Sequence, residues 1–148
     1  MRGSRNKEPV FSQRYGAQAY GNAAGGSSML MMADQKFTRG LWVLPHHETV
    51  YNLENSKIVS FSAFVGITEE MCKNSIRDQD RRVNFEVWVD GKIREQSGLL
   101  AAYDKPRLLV VEHLENAKEL KLVTRLDSDR DNPSFAATWA DANFYLKE

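Results

Sequence analysis

Two stretches of this chain place an apolar side chain at every second residue, and that period limits its possible folds more than any other feature. In VSFSAFVGI, Val59, Phe61, Ala63, Val65 and Ile67 alternate with Ser60, Ser62, Phe64 and Gly66. In VNFEVWVDG, Val83, Phe85, Val87 and Val89 alternate with Asn84, Glu86 and Trp88. Successive strand residues point to opposite faces, so each segment has one apolar face that a second layer must cover. Asp90-Gly91 follows the second run at once. Both residue types tolerate positive φ, which predicts a two-residue hairpin. Leu120, Leu122, Thr124 and Leu126 form a third alternating face, and RLLVVEHL (107–114) reads as a mostly buried strand.

The closing segment FAATWADANFYLKE carries helix-favouring alanines. Yet Ala140, Ala142, Phe144 and Leu146 alternate with Trp139, Asp141, Asn143 and Tyr145, which predicts a closing strand. LENAKE (114–119) is at most a turn. Many short strands separated by turn signals predict an all-β protein, an antiparallel β-sandwich or jelly roll. A chain of 148 residues is one domain's worth and buries about two thirds of its surface on folding. Residues 1–28 are rich in Gly, Ser, Ala, Asn and Arg and close on Gly25-Gly26-Ser27-Ser28. They read as a flexible or loop-rich N-terminal arm, pinned by Phe11, Tyr15 and Tyr20 to a sandwich over 29–148.

Lys and Arg balance Asp and Glu at 20 each, which argues against a nucleic-acid or anionic-membrane partner. No apolar run is long enough to span a bilayer. Cys72 is alone, so no disulfide or multi-cysteine metal site can form, and its surroundings carry no catalytic-thiol pattern. The opening MRGSRNKEPVF lacks the apolar core of a secretory signal. The expectation is a chain that either stays inside the cell or is a mature or excised domain.

Three clusters are candidates for chemistry. The first is Pro45-His46-His47-Glu48. On an extended backbone His46 and His47 face opposite ways, so a zinc site would need a kink and further ligands. Glu48 beside a histidine is a formal acid/base pair. The stronger alternatives are loop-end histidines that hydrogen-bond a polar ligand, or polar residues that merely start a strand. The second cluster is Asp127, Asp129 and Asp131, spaced like the opening of a calcium loop. The EF-hand template fails, because Asn132 and Thr138 stand where it needs glycine and glutamate. A different calcium site, or a solvated acidic turn balanced by Arg125 and Arg130, stays open. Trp42, Trp88 and Trp139 make the third: each is either a flat platform for a sugar's C–H face or a core residue. No nucleophile elbow, phosphate-cradling glycine loop or metalloprotease motif is present.

The order of several short motifs adds a resemblance. Phe37-Thr38-Arg39-Gly40-Leu41, Tyr51-Asn52-Leu53 and Phe61-Ser62-Ala63-Phe64-Val65-Gly66-Ile67 are followed by Val83-Asn84-Phe85-Glu86-Val87-Trp88-Val89-Asp90-Gly91 and Ser97. Ala117-Lys118-Glu119-Leu120-Lys121-Leu122-Val123 and Trp139-Ala140-Asp141-Ala142 complete the series. Together they resemble the NPCBM family, carbohydrate-binding modules appended to glycoside hydrolases, from about Tyr15 to Phe144. The resemblance implies a galactose-binding-like jelly roll, a non-catalytic lectin-like role, galactose-containing glycans as partners and often a structural calcium ion. With the clusters read above, the expected sugar contacts are one or more of Trp42, His46, His47, Glu48, Trp88 and Trp139. The expected calcium ligands are Asp127, Asp129 and Asp131 with Asp141, which keeps the family pattern. Two departures stand out. The first family motif has its histidine replaced by Leu44 and its serine by His47, and near the end two acids and a histidine are lost while Asp141 is kept. These imply either an altered sugar preference or a sandwich kept as a protein-interaction scaffold.

Overall fold

The alternating runs become strands that pair across long stretches of sequence. A computed structural model describes residues 7–9, 18–20, 23–26, 30–32, 35–37, 40–43, 47–67, 82–101, 104–126 and 137–147, with side chains over 48–67, 82–101, 104–126 and 137–147. The strands are β1 (Lys7–Pro9), β2 (Gln18–Tyr20), β3 (Ala23–Gly26), β4 (Leu30–Met32), β5 (Gln35–Phe37), β6 (Gly40–Val43), β7 (His47–Asn52), β8 (Ile58–Ile67), β9 (Arg82–Val89), β10 (Lys92–Ala101), β11 (Arg107–Val111), β12 (Glu119–Leu126) and β13 (Ala137–Leu146). One six-stranded sheet runs β11-β8-β13-β6-β3, with β1 also paired to β13. A five-stranded sheet runs β10-β9-β12-β7-β2, and β4 pairs with β5 alone. Residues 1–28 thus supply β1, β2 and β3, which pair with β13, β7 and β6.

The two larger sheets pack face to face through the apolar faces that the period predicts. Phe61, Ala63 and Val65 of β8 are buried against Phe85 and Val87 of β9 and Leu120 and Leu122 of β12 in one core. Rings from opposite sheets meet edge to face: Phe85 with Trp139 at 5.3 Å between centroids, and Tyr51 with Phe144 at 5.5 Å. Each fully buried side chain of this size stabilises the sandwich by about 1.5–3 kcal/mol. The β9–β10 turn forms as Asp90-Gly91 predicts, with φ of 50° and 83°. Asp90 does a second job: its Oδ1 accepts the backbone N–H groups of Lys118 and Glu119 at 3.0 and 2.9 Å, tying the hairpin to the start of β12.

Two of the four register shifts in β10 and β13 matter most for which side chains face where, and a period-two reading misses them. In β10 the register with β9 shifts between Gln96 and Leu99, around Gly98 at φ 77°. The displaced bond is replaced by a side chain, because Phe85 N–H donates to Ser97 Oγ at 3.1 Å. In β13 the register with β8 shifts between Ala140 and Asn143, with Asp141 at φ 47°. One extra residue there reverses which side chains face inward. Trp139 points into the core before the bulge and Ala142 and Phe144 after it, so the expected single alternation from Trp139 to Tyr145 is corrected. A second correction concerns 107–114. β11 is an edge strand, and Leu108 and Val110 are 54% and 43% exposed, while Leu109 and Val111 are buried. An edge strand covered on one side only leaves its other face to solvent, whatever its hydrophobicity. β10, the edge of the other sheet, lies beside it. Arg94 donates to Glu112 O at 2.7 Å and Arg107 to Ser97 O at 2.8 Å, so guanidinium groups cover backbone carbonyls that would otherwise invite strand addition.

Candidate functional site

Strand registers show which parts of the sequence meet at one end of the sandwich. In the six-stranded sheet Ala137, the first residue of β13, lies opposite both Ile67 and Val43, the last residues of β8 and β6. In the other sheet Leu126 lies opposite Val83, Arg82 opposite Ala101, and Thr124 opposite His47. β6 passes to β7, and so from one sheet to the other, within three residues, which puts both sets of strand ends on the same side. The segments 44–46, 68–81 and 127–136 therefore all depart from one end. His47 opens β7 there, and Trp42 lies on β6 opposite Thr138. His46, Asp127, Asp129 and Asp131 lie outside the described residues, as do the side chains of Trp42 and His47.

On the outer face of the five-stranded sheet, away from the core, a polar cluster is built on the out-of-phase positions of β9. Glu86 sits between the inward-facing Phe85 and Val87, so its side chain points outward, yet it is only 5% exposed. Its neighbours cover it. The indole N–H of Trp88, two residues along the same face, donates to Oε1 at 2.8 Å. Asn84 Nδ2 donates to Oε2 at 2.9 Å, and Arg125 Nε reaches both oxygens at 3.1 Å. Arg125 supplies the countercharge and the two neutral donors fill the remaining lone pairs, which makes the carboxylate an anchor. Lys121, opposite Trp88 in the register, holds its ammonium 5.1 Å from the indole centroid and 3.5 Å from Glu48 Oε1. Cation–π attraction and an ion pair so join Trp88 and Glu48 across β9, β12 and β7. The structure brings these two expected ligand residues together, although the lysine covers one face of the indole. The sequence carries a signal for this cluster that the alternation argument passed over: an acid and a tryptophan at i and i+2 share one strand face.

Trp139 is a correction. Its indole is 1% exposed and packed edge-on against Phe61 and Phe85, so it has no face to offer a sugar. The calcium set divides. Asp141 is its member within the described residues. Its carboxylate accepts Asn143 Nδ2 at 3.1 Å, and no group of three metal-binding side chains surrounds it among the described residues. The other three members, Asp127, Asp129 and Asp131, lie outside the described residues. Among the described residues Tyr51 has the displaced titration: burial pushes its phenol well above the usual range. A buried neutral tyrosine packed edge-on against Phe144 is a packing residue.

A sandwich of two antiparallel sheets, with connections gathered at one end and polar clusters on its outer faces, defines a recognition module. The chain matches the NPCBM/NEW2 domain over residues 6–145, and it belongs to that family of carbohydrate-binding modules. Its fold is shared with modules that carry CBM51 domains. The structure of CBM51-2, in complex with GlcNAc, and INT domains from Clostridium perfringens ZmpB is 26% identical with a TM-score of 0.71, covering 87% of this chain and 29% of that one. A structure of the M60 catalytic domain with CBM51-1 and CBM51-2 of the same protein is 25% identical with a TM-score of 0.77, covering 95% and 15%. CBM51 from Clostridium perfringens GH95, in complex with methyl-galactose, is 24% identical with a TM-score of 0.69, covering 86% and 92%. This chain spans less than a third of the first of these ZmpB structures and about a seventh of the second, where the module is one part of a larger protein. No curated protein matches it.

Proposed function

We propose that this module binds galactose-containing glycans, performs no bond-making chemistry, and acts by holding a larger protein to a glycan surface. The observation that carries this reading is membership of the NPCBM/NEW2 family over residues 6–145. The sharing of its sandwich by a module in complex with methyl-galactose supports the sugar class. Contacts are assigned to the end where β6 passes to β7, through Trp42, His46 and His47, with Glu48 and Trp88 on the adjoining sheet face. A shallow site that desolvates few polar groups gives a monovalent Kd on the order of 10 µM to 1 mM, strengthened only by multivalency. Calorimetric titration with galactose, lactose and GlcNAc, preceded by a glycan array, tests the reading. Saturable binding that weakens at least about tenfold in His47→Ala supports it. No binding to any saccharide at millimolar concentration sinks it.

A structural calcium ion held among Asp127, Asp129, Asp131 and Asp141 belongs to the same proposal. Calcium favours oxygen donors at this density and relieves the repulsion among three carboxylates. A melting temperature that does not change between excess calcium and chelator counts against it. A second reading, a scaffold domain that has lost sugar binding, is favoured by the tryptophans: Trp139 is buried and Trp88 has a lysine on its ring. A protein partner captured equally well in the presence of competing saccharides selects that reading over the first.

A further inference from the structure

The outer face of the six-stranded sheet holds a hollow of about 360 Å³ that the loop-end site does not use. It is lined from three neighbouring strands, and the register explains its make-up. Leu108 lies opposite Phe64 and Val110 opposite Ser62, while Tyr145 lies opposite Ser60 across β13. One wall is therefore apolar, formed by the exposed side chains of Leu108 and Val110 on β11. The facing wall on β13 is polar, formed by Asp141 and by the Tyr145 hydroxyl, which shares a hydrogen bond with Ser62 Oγ at 3.1 Å. The half-buried ring of Phe64 lies between the two walls.

Asp141 reaches this wall because of the bulge in β13. Its φ of 47° is unusual for a residue other than glycine, and the inserted residue places its side chain on the outer face beside Tyr145. Conformations of this kind cost energy and recur where a side chain is being aimed. Among the described residues the charged groups of the lining are Glu112 and Asp141, both carboxylates.

We propose that this hollow is a second recognition site, separate from the loop end, for one or two residues of a neutral saccharide. A pyranose has an apolar C–H face and a rim of hydroxyl donors. The face matches Phe64, Leu108 and Val110, and the donors match the Asp141 carboxylate by charge-assisted hydrogen bonds and the Tyr145 and Ser62 hydroxyls by neutral ones. The volume lies at the small end of ligand pockets and suits a mono- or disaccharide. An apolar peptide strand fits less well, because it would strip water from the Asp141 carboxylate without offering donors. Anionic sugars are disfavoured by the two carboxylates of the described lining. The proposal rests on the sugar-binding reading of the module for its ligand class, but not for its location.

The test is an amide ¹H–¹⁵N titration of the full chain with methyl β-galactoside, lactose, a sialylated lactose and a simple alkylamine. Saturating shifts at residues 60–64, 108–112 and 141–145 with the neutral sugars, and not with the sialylated one, are expected. Leu108→Glu changes an exposed side chain, leaves the spectrum dispersed, and abolishes those shifts while any loop-end shifts persist. Asp141→Asn keeps a residue that tolerates positive φ and weakens binding at this face about tenfold. Shifts at the loop end alone overturn this inference and leave the function standing; shifts nowhere overturn both. Face shifts produced by the amine but not by sugars, or unchanged in Leu108→Glu, also overturn it.

Discussion

Trp139 shows how little a residue's type says about its task. As a tryptophan in a chain with sugar-binding relatives it invites a stacking role, yet its ring lies between Phe61 and Phe85 in the core. Trp139→Ala is expected to cost about 3–5 kcal/mol in urea unfolding, through lost burial and the cavity left behind. A cost below about 1 kcal/mol would place the ring at a surface after all. Tyr51 gives a pH-dependent counterpart. Its phenol is raised by burial, so the folded state holds the proton to higher pH than the unfolded chain, whose tyrosines ionise near about 10. The stabilisation is complete below that pH and is lost as pH rises toward the folded value, with a slope of up to about 1.4 kcal/mol per pH unit. Tyr51→Phe should flatten this alkaline limb; an unchanged slope between the two proteins refutes the assignment.

At the scale of elements, the strands follow the alternation and the bulges follow from single residues. β8, β9 and β12 end and face as their apolar period dictates, except that Ile58 takes the core place expected of Val59 where the register with β13 shifts, and Asp90-Gly91 makes its turn. Ser97 was visible only as a serine at a family position. The fold supplies the reason: the register slip at Gly98 removes a backbone partner from Phe85, and a short hydroxyl side chain restores one. Ser97→Ala should therefore cost about 1–3 kcal/mol by leaving a buried N–H unpaired. Ser97→Thr, which keeps the hydroxyl, should recover much of that loss. Equal destabilisation by both variants would mean that the site responds to volume and not to the hydrogen bond. The bulge at Asp141 carries no comparable signal, since aspartate occurs in strands and turns alike. Its effect, reversing which half of β13 faces inward, made the closing strand legible as a strand but not as to its faces.

For the whole molecule, topology governs how the chain folds as well as what it presents. β8 pairs with β13 across some eighty residues and β7 with β12 across some seventy, so few contacts are local. Closing such loops precedes any reward from pairing, and refolding is expected in milliseconds to seconds, as for other β-sandwiches. Stopped-flow tryptophan fluorescence will read this, because Trp139 reports core formation; complete refolding within about 100 µs would contradict it. The same topology brings the strand ends that flank His46 and the acidic triplet to one end of the sandwich.

The amino-acid order by itself determined the class of fold. Period-two burial requires two covered sheets, and the order of short motifs placed the chain among carbohydrate-binding modules, because both are local properties of consecutive residues. It also located the hairpin, whose geometry belongs to two adjacent residues. Tertiary structure alone decided which faces are covered. Leu108 and Val110 are exposed because β11 happens to lie at an edge, Glu86 is buried because Trp88, Asn84 and Arg125 close over it, and Trp139 is core because a bulge two residues later sets its side of the sheet. Each of these depends on partners that are distant in sequence or on a one-residue slip, and neither leaves a periodic trace in the chain.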